Sequence, residues 1–476
     1  MSSLVMGVPI LIGGYILFSK VNNYKKLSIV TMIVTLVLTI LINYYYYNTS
    51  INLLTLINNV NIGFKIDSIA ILFSTLISFI FLAVGIYTLD YMEHYHDLRR
   101  YYSYYLMTLG LLLGVAYADN MVTLYMFFEL MTLSATLLVI HERSKYAYNA
   151  ARKFLYYSIF GAAMGLMGII LLYANYQDTN FVVGGFVTTI DNNVLLFTLL
   201  AIIGFACKAG LYPLHGWLTS AHPIAPAPAS AVLSGIITKA GIIAIIRIVY
   251  YVIGIDNIVG TYIQEILIIL SLVTIFLGSL LALRENLLKK RLAYSSISQL
   301  SYIILGLLVG TKVALLGALL QVVFHALAKT LLFLSAGSII HSTALDKVRD
   351  LKGYGYAMNE TFMMILIGGL SLVGIPLTGG FVAKWYLATG SLELGRLGLI
   401  GVSIIMISAL LTAGYLLYLV NNAYVVEQKK IIKKKYKLEK NMKVGMIILA
   451  ILIIVGGIFP TPIIEYLNGI IIPLYL

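Results

Sequence analysis

The feature that most constrains this chain is a run of apolar segments that repeats from one end to the other. A helix that crosses the hydrocarbon of a bilayer needs about 20 mostly apolar residues, within a range of about 17–25. Segments of this kind stand near residues 4–18, 27–47, 66–89, 101–117, 121–140, 153–176 and 194–217. They continue near 230–252, 263–283, 294–310, 313–340, 361–389, 398–424 and 444–459. No polar stretch long enough for a soluble domain separates them. Of the 476 residues, 61% are hydrophobic and 11% charged, against roughly 45–50% and 25% in a soluble domain. That balance excludes a soluble globular protein and a disordered one. The expectation is an all-α polytopic membrane protein of about fourteen transmembrane helices. The first segment has no basic region before it and reads as a retained helix, not a signal peptide. The tail from Pro460 to Leu476 is apolar but, bounded by Pro462 and Pro473, too short to span.

The net charge of +13 has to be read by position. Twenty-four of the 32 Lys and Arg fall in the connections after odd-numbered segments, the largest group running from Lys429 to Lys443. The connections after even-numbered segments hold only Lys65, Lys312 and Arg396. Cytoplasmic connections are the basic ones. Both termini are therefore expected outside the cytoplasm of a prokaryotic cell membrane. Tyr44 to Tyr47 suit the headgroup level on that outer side. The basic excess is assigned to topology and to membrane lipids, and no nucleic-acid partner is expected.

Five basic residues remain inside apolar segments: Lys208, Lys239, Arg247, Lys329 and Lys384. One acid, Glu129, sits within the fifth segment. A charge at the bilayer centre costs at least about 2.5–3.5 kcal/mol and usually marks an ion or proton pathway. Burial favours a neutral lysine and a nearby carboxylate favours a charged one, so a lysine between the two can change state when a charge moves. Glu129 is the natural partner for one of them. His325 and Lys329 are four residues apart and share a helix face. Each also has a structural reading. Arg247 lies near a segment end, and a structural role is expected for it, with snorkelling outward as one form of that role. His94, His96 and His141 are read as solvated. A lone Cys207 and seven histidines without a ligand pattern give no metal or cofactor site.

Two segments are interrupted. The seventh carries Gly204 to Pro213 around Lys208, and the twelfth carries Gly374 to Gly380 before Lys384. Broken helices in matching places of two halves point to the ion path of a transporter. Five segments apart, they fit two five-helix repeats of inverted topology. The expected divisions are 1–100 (three helices), 101–252 (first repeat), 263–424 (second repeat) and 444–476 (last helix and tail), all in one transmembrane domain.

The run Lys208-Ala-Gly-Leu-Tyr-Pro-Leu-His-Gly-Trp-Leu-Thr-Ser-Ala-His222-Pro resembles the proton-translocating antiporter-like subunit family. So do Ala225-Pro-Ala-Pro-Ala-Ser-Ala-Val-Leu-Ser-Gly, Lys239, Phe128-Glu129-Leu, Arg291 to Tyr302, His325-Ala-Leu-Ala-Lys329 and Gly380-Phe-Val-Ala-Lys384. The family comprises the antiporter-like subunits of respiratory complex I, the Mrp cation/proton antiporter subunits and their counterparts in energy-converting membrane hydrogenases. The resemblance implies that Glu129 and Lys208 form the fifth- and seventh-helix pair and that Lys239 links two half-channels. It further implies that His325 and Lys329 relay protons and that Lys384 ends the path. His222 and His341 are secondary candidates. Thr219 and Ser220 depart from the Pro-acid pair common in the family. The implied partners are protons, with Na+ as a further candidate, and other membrane subunits. The His325–Lys329 pair, the chain end after the fourteenth segment and the Ile-, Lys- and Asn-rich composition favour an archaeal, methanogen-type hydrogenase subunit. An Mrp-type or complex I-like subunit is the alternative. A non-transporting structural subunit and a stand-alone solute carrier are the readings from other classes.

Overall fold

The computed structural model describes residues 2–57, 60–425 and 434–475, so Lys429, Lys430 and Lys433 of the basic connection lie outside the described residues. The chain is 79% helical. Every apolar segment is helical. The first half contains α1 (Ser2–Phe18), α2 (Tyr24–Tyr45), α3 (Ser68–Tyr91), α4 (Leu98–Tyr117), α5 (Met121–Val139), α6 (Lys145–Tyr176) and α7 (Asn192–Ala209). A short α8 (Leu218–Ile224) leads into α9 (Ala227–Ile253), followed by α10 (Tyr262–Arg284), α11 (Leu288–Leu308) and α12 (Lys312–Thr343). The remainder is α13 (Tyr354–Ala357), α14 (Asn359–Val373), α15 (Gly379–Ser391), α16 (Arg396–Tyr424), α17 (Lys440–Ile458) and α18 (Thr461–Ile471). Among the described residues, ten helices are long and apolar enough to cross a membrane unaided.

The all-α expectation fails at one place. Between α2 and α3 the chain forms an antiparallel hairpin of β1 (Ser50–Ile57) and β2 (Val60–Lys65). Its residues alternate in part and are rich in Ile and Leu, with Thr55, Val60 and Phe64 among them, which suits a strand pair. It also touches neighbouring connections: Asn120 Nδ2 donates to Asn61 O at 2.8 Å, and Asp119 N donates to Gly63 O at 3.1 Å.

The connections sort into two groups by contact. Arg99 donates to Ser19 O at 3.2 Å, Arg100 to His141 O at 2.7 Å, and Arg143 pairs with Asp97 at 3.0 Å. Leu288 N donates to Asp346 O at 2.8 Å, and Lys289 Nζ to Ala225 O at 2.8 Å. On the opposite side Met121 N donates to Thr179 O at 2.9 Å, Asn257 Nδ2 to Val187 O at 3.1 Å, and Thr311 Oγ1 to Gly390 O at 3.3 Å. The basic connections thus meet one another at one end. Lys289 and Arg291 are buried there against backbone carbonyls and not solvated. One detail of the charge reading is corrected there, at His141. His141 is also buried, under the Tyr101 ring at 5.2 Å, and burial beside Arg100 pushes its imidazole down to about 4.

Burial separates an inner set of helices from an outer one. The apolar stretch of α9 is 100% enclosed and that of α12 is 94% enclosed, against 28% for α16. Nearly all of α11 is buried too. A helix with no lipid face can carry Ser and Gln, because neighbours supply their partners. Gln321 donates to Gln299 at 2.7 Å between α12 and α11, and Ser234 and Ser296 share a 2.7 Å hydrogen bond between α9 and α11.

Arg247 does not snorkel. It is 1% exposed in α9, and its guanidinium binds both oxygens of Asp67, the residue that caps α3. The rings of Tyr251 and Phe181 flank it at 4.6 and 5.2 Å. Removing one partner of a buried pair leaves an uncompensated charge and costs about 3–5 kcal/mol. Asn also caps helices well, so Asp67→Asn isolates the charge term. We expect Asp67→Asn to lower the thermal unfolding midpoint of the detergent-purified protein clearly. An unchanged midpoint would show that the pair does not hold α3 to α9.

Candidate functional site

The sequence-predicted lysines lie in or beside the enclosed helices, and each is bonded to neutral oxygen. Helix α7 stops after Ala209 because Gly210 turns left-handed at φ +78°. Lys208 occupies its last turn. The ammonium donates to Thr132 Oγ1 at 2.7 Å and to Ser158 Oγ at 3.2 Å. The rings of Phe154, Phe128 and Trp217 surround it at 4.4, 5.6 and 5.8 Å. Cation–π contacts of this kind gain strength when desolvated.

Glu129 stands one turn before Thr132 on α5. It makes no ion pair with Lys208 among the described residues, although the two act on each other electrostatically. Its Oε1 is buried without a hydrogen-bond partner among the described residues. Thr132 therefore occupies the place at the ammonium that sequence reasoning gives to the carboxylate. The i+3 spacing from Glu129 to Thr132 was the available signal.

Lys239 follows a widened, π-helical turn at Leu233–Ile237. Such bulges loosen the regular ladder and recur at functional sites. Its Nζ reaches Ser234 O at 3.0 Å and lies 2.8 Å from His325 Nδ1. These two groups are in direct contact. His325 Nε2 has no hydrogen-bond partner among the described residues. Lys329, one turn further along α12, donates to Leu292 O at 2.9 Å and to Ser295 Oγ on α11. Lys239, Lys329 and Lys384 all act electrostatically on the His325 ring, so the four belong to one neighbourhood.

Lys384 uses the break between α14 and α15. The first of these ends at Val373, Gly374 turns left-handed at φ +88°, and the second resumes at Gly379. Freed carbonyls at a helix C-terminus attract a cation. The Lys384 ammonium takes them, donating to Leu372 O and to Val373 O at 3.0 Å, with the Tyr302 ring at 5.3 Å.

The secondary candidates separate. His222 is fully buried, stacks on Phe333 at 4.8 Å, and feels Lys329 and Lys289. It lies between the buried line and the basic end. His341 is twelve residues beyond Lys329, about 18 Å along the helix axis, and no hydrogen bond joins it to the line among the described residues. Ser158 and Ser295 were missed. Ser295 falls inside the Arg291–Tyr302 motif, where a run of Ser and Gln in an apolar segment was the signal.

This arrangement is that of a polytopic helical membrane subunit with buried internal lysines. Residues 118–412 match the family described as NADH:quinone oxidoreductase/Mrp antiporter, TM, and residues 55–102 match the N-terminal family of complex I chain 5. The chain belongs to the NADH:quinone oxidoreductase/Mrp antiporter family. It is 34% identical over 365 residues to the NADH-quinone oxidoreductase subunit N of Desulforudis audaxviator, covering 76% of this chain and 72% of that one. It is 30% identical over 348 residues to hydrogenase-4 component B of Escherichia coli, covering 70% of this chain but 51% of that one, about half its length. Its fold is similar to a chain of the membrane-bound sulfane sulfur reductase, an archaeal respiratory membrane complex. The TM-score is 0.89 at 23% identity, over 99% of this chain and 97% of that one.

Close packing at the second helix break makes a structural prediction. A Cβ on Gly380 would stand 1.7 Å from Ser371 O. Relief requires α14 and α15 to move apart, and overpacking of this kind costs about 1–3 kcal/mol. We expect Gly380→Ala to lower the thermal midpoint, whereas Gly469→Ala, with open space around it, leaves it unchanged. Equal midpoints for both variants would mean that the break is not held as described.

Proposed function

We propose that this chain is the proton-translocating, antiporter-like membrane subunit of a multisubunit redox-driven pump. The single observation that carries the reading is the line Lys208, Lys239, His325, Lys329 and Lys384, each buried and bonded to hydroxyls, carbonyls or a ring nitrogen. None of these lysines has a carboxylate in an ion pair among the described residues. Such groups can gain and lose a proton without breaking a salt bridge. Glu129 enters at one end, where approach to Lys208 would favour the charged lysine and separation the neutral one. His222 is a lateral connection towards the basic end. His341, off the line, drops to a peripheral role.

The family's members serve several complexes. We place this chain in an archaeal energy-converting hydrogenase, supported by the relation to hydrogenase-4 component B and the likeness to an archaeal respiratory complex. An Mrp-type Na+/H+ antiporter or a complex I-like oxidoreductase subunit is the alternative. Nickel–iron hydrogenase genes beside this one would favour the first reading, and an Mrp cluster the second. Other membrane subunits, protons with or without Na+, and lipids are its partners.

The same reading gives the chain fourteen crossings with both termini outside the cytoplasm. Residues 1–100 precede two inverted five-helix repeats, 101–252 and 263–424, and 444–476 closes the domain. The breaks after Ala209 and Val373, five crossings apart, support this division. The mutual contact of the basic connections supports the topology. A single cysteine at Lys434→Cys, in a Cys207→Ser background, should be labelled by an impermeant reagent from the cytoplasmic side only. Labelling from outside only would overturn the orientation.

Transport tests the function directly. In an assembled complex reconstituted into vesicles, Lys208→Ala is expected to abolish coupled proton transport while assembly is retained. Wild-type transport by that variant would reject the pathway and favour a non-transporting structural subunit.

A further inference from the structure

Away from the buried line, three side chains converge at the basic end from distant parts of the sequence. His94 stands in the connection between α3 and α4, His341 in the last turn of α12, and Glu439 immediately before α17. Their donor atoms all lie within 4.8 Å of one another. The two imidazoles stack with centroids 5.5 Å apart and planes at 20°, and Tyr91 flanks His341 at 5.3 Å. The carboxylate is placed by a separate clamp. Asp90 accepts from Asn441 N at 2.7 Å and from Asn441 Nδ2 at 2.6 Å, which fixes the start of α17 against the end of α3.

We propose that His94, His341 and Glu439 form a site for a divalent transition-metal ion, with Zn2+ the best fit. Two imidazoles and one carboxylate are a nitrogen-rich set that suits Zn2+ and not the oxygen-seeking Mg2+ or Ca2+. Tetrahedral Zn2+ with bonds of about 2.0–2.1 Å sets its ligand atoms roughly 3.3 Å apart. The three donors therefore need to close by about 1.5 Å at most. His94 and Glu439 are exposed and His341 is half-buried, so side-chain rotation can supply that movement. Three protein ligands leave a fourth position for water. Glu439 also brings the negative charge that a dication needs on a face rich in lysine. A bound ion would join the end of the helix carrying His325 and Lys329 to the α3–α4 connection and to α17. No sequence spacing announces such a site, and it departs from the expectation of no metal ligands.

The test is calorimetric titration of the full chain in detergent with ZnCl2, after chelator treatment and dialysis. One equivalent of Zn2+ is expected to bind. His94→Ala, His341→Ala and Glu439→Gln should each weaken binding by more than about tenfold. His96→Ala, an exposed histidine two residues from His94, should leave it unchanged. Absence of stoichiometric binding to the wild-type chain would overturn the proposal. So would full affinity in the His94→Ala/His341→Ala double variant, or equal weakening by His96→Ala. Binding and not transport is read, so the outcome is independent of the proposed pump function.

Discussion

Hydrocarbon offers no hydrogen bonds, so every polar group at membrane depth must find its partner inside the protein. The architecture follows from that requirement. Lipid-facing helices such as α16 carry apolar side chains outward, and the polar residues gather on α9, α11 and α12, which have little or no lipid face. The Ser and Gln of α11 would be costly on an outer helix. In the interior they link α9, α11 and α12 through Ser234–Ser296 and Gln321–Gln299. The enclosure of three helices and the presence of a polar line through them are one fact seen from two sides.

The buried cations are accommodated in two distinct ways. Arginine keeps its proton under all ordinary conditions, so Arg247 needs a permanent counter-charge, and Asp67 supplies it with two hydrogen bonds. That pair is a structural bolt. The lysines have neutral acceptors instead: the hydroxyl of Thr132, the carbonyls of Ser234, Leu292 and Val373, and the ring of His325. Backbone irregularity provides several of these. The π-helical turn stands directly before Lys239, and the break after Val373 exposes the carbonyls that Lys384 takes. Regular helices would have spent those carbonyls on their own ladders. The irregular backbone and the lysines therefore belong to the same device.

Much of this was legible in the sequence, because hydropathy and charge act locally along the chain. The apolar segments, the two interruptions and the five unusual cations could all be read from composition and position. The hairpin at Ser50–Lys65 escaped because a short alternating stretch is weak beside helices of twenty residues. What depends on distant contacts was not legible. Arg247 looked like a snorkelling residue because nothing local announces Asp67. His141 looked solvated because the Tyr101 ring that covers it is forty residues away. Glu129 and Lys208 looked like a contact pair because opposite charges in apolar segments suggest one, whereas in the structure the ammonium bonds the hydroxyls of Thr132 and Ser158. Local patterning identifies which groups are costly, and only the fold shows how each cost is met.

The contact between Lys239 and His325 shows what meeting that cost with a neutral partner permits. An N–H···N hydrogen bond needs a proton on one nitrogen and a lone pair on the other. At 2.8 Å the Lys239 ammonium can donate to a neutral imidazole, or a neutral amine can accept from the imidazole Nδ1–H. Two fully protonated groups have no lone pair to share, and no carboxylate ion-pairs with either among the described residues. The bond as it stands therefore admits at most one of the two groups in its cationic form. A proton added to the cationic form of the pair displaces the one between them or breaks the bond. Lys329 and Lys384 act on the same ring, so a change of charge at either shifts the balance of the pair without touching it.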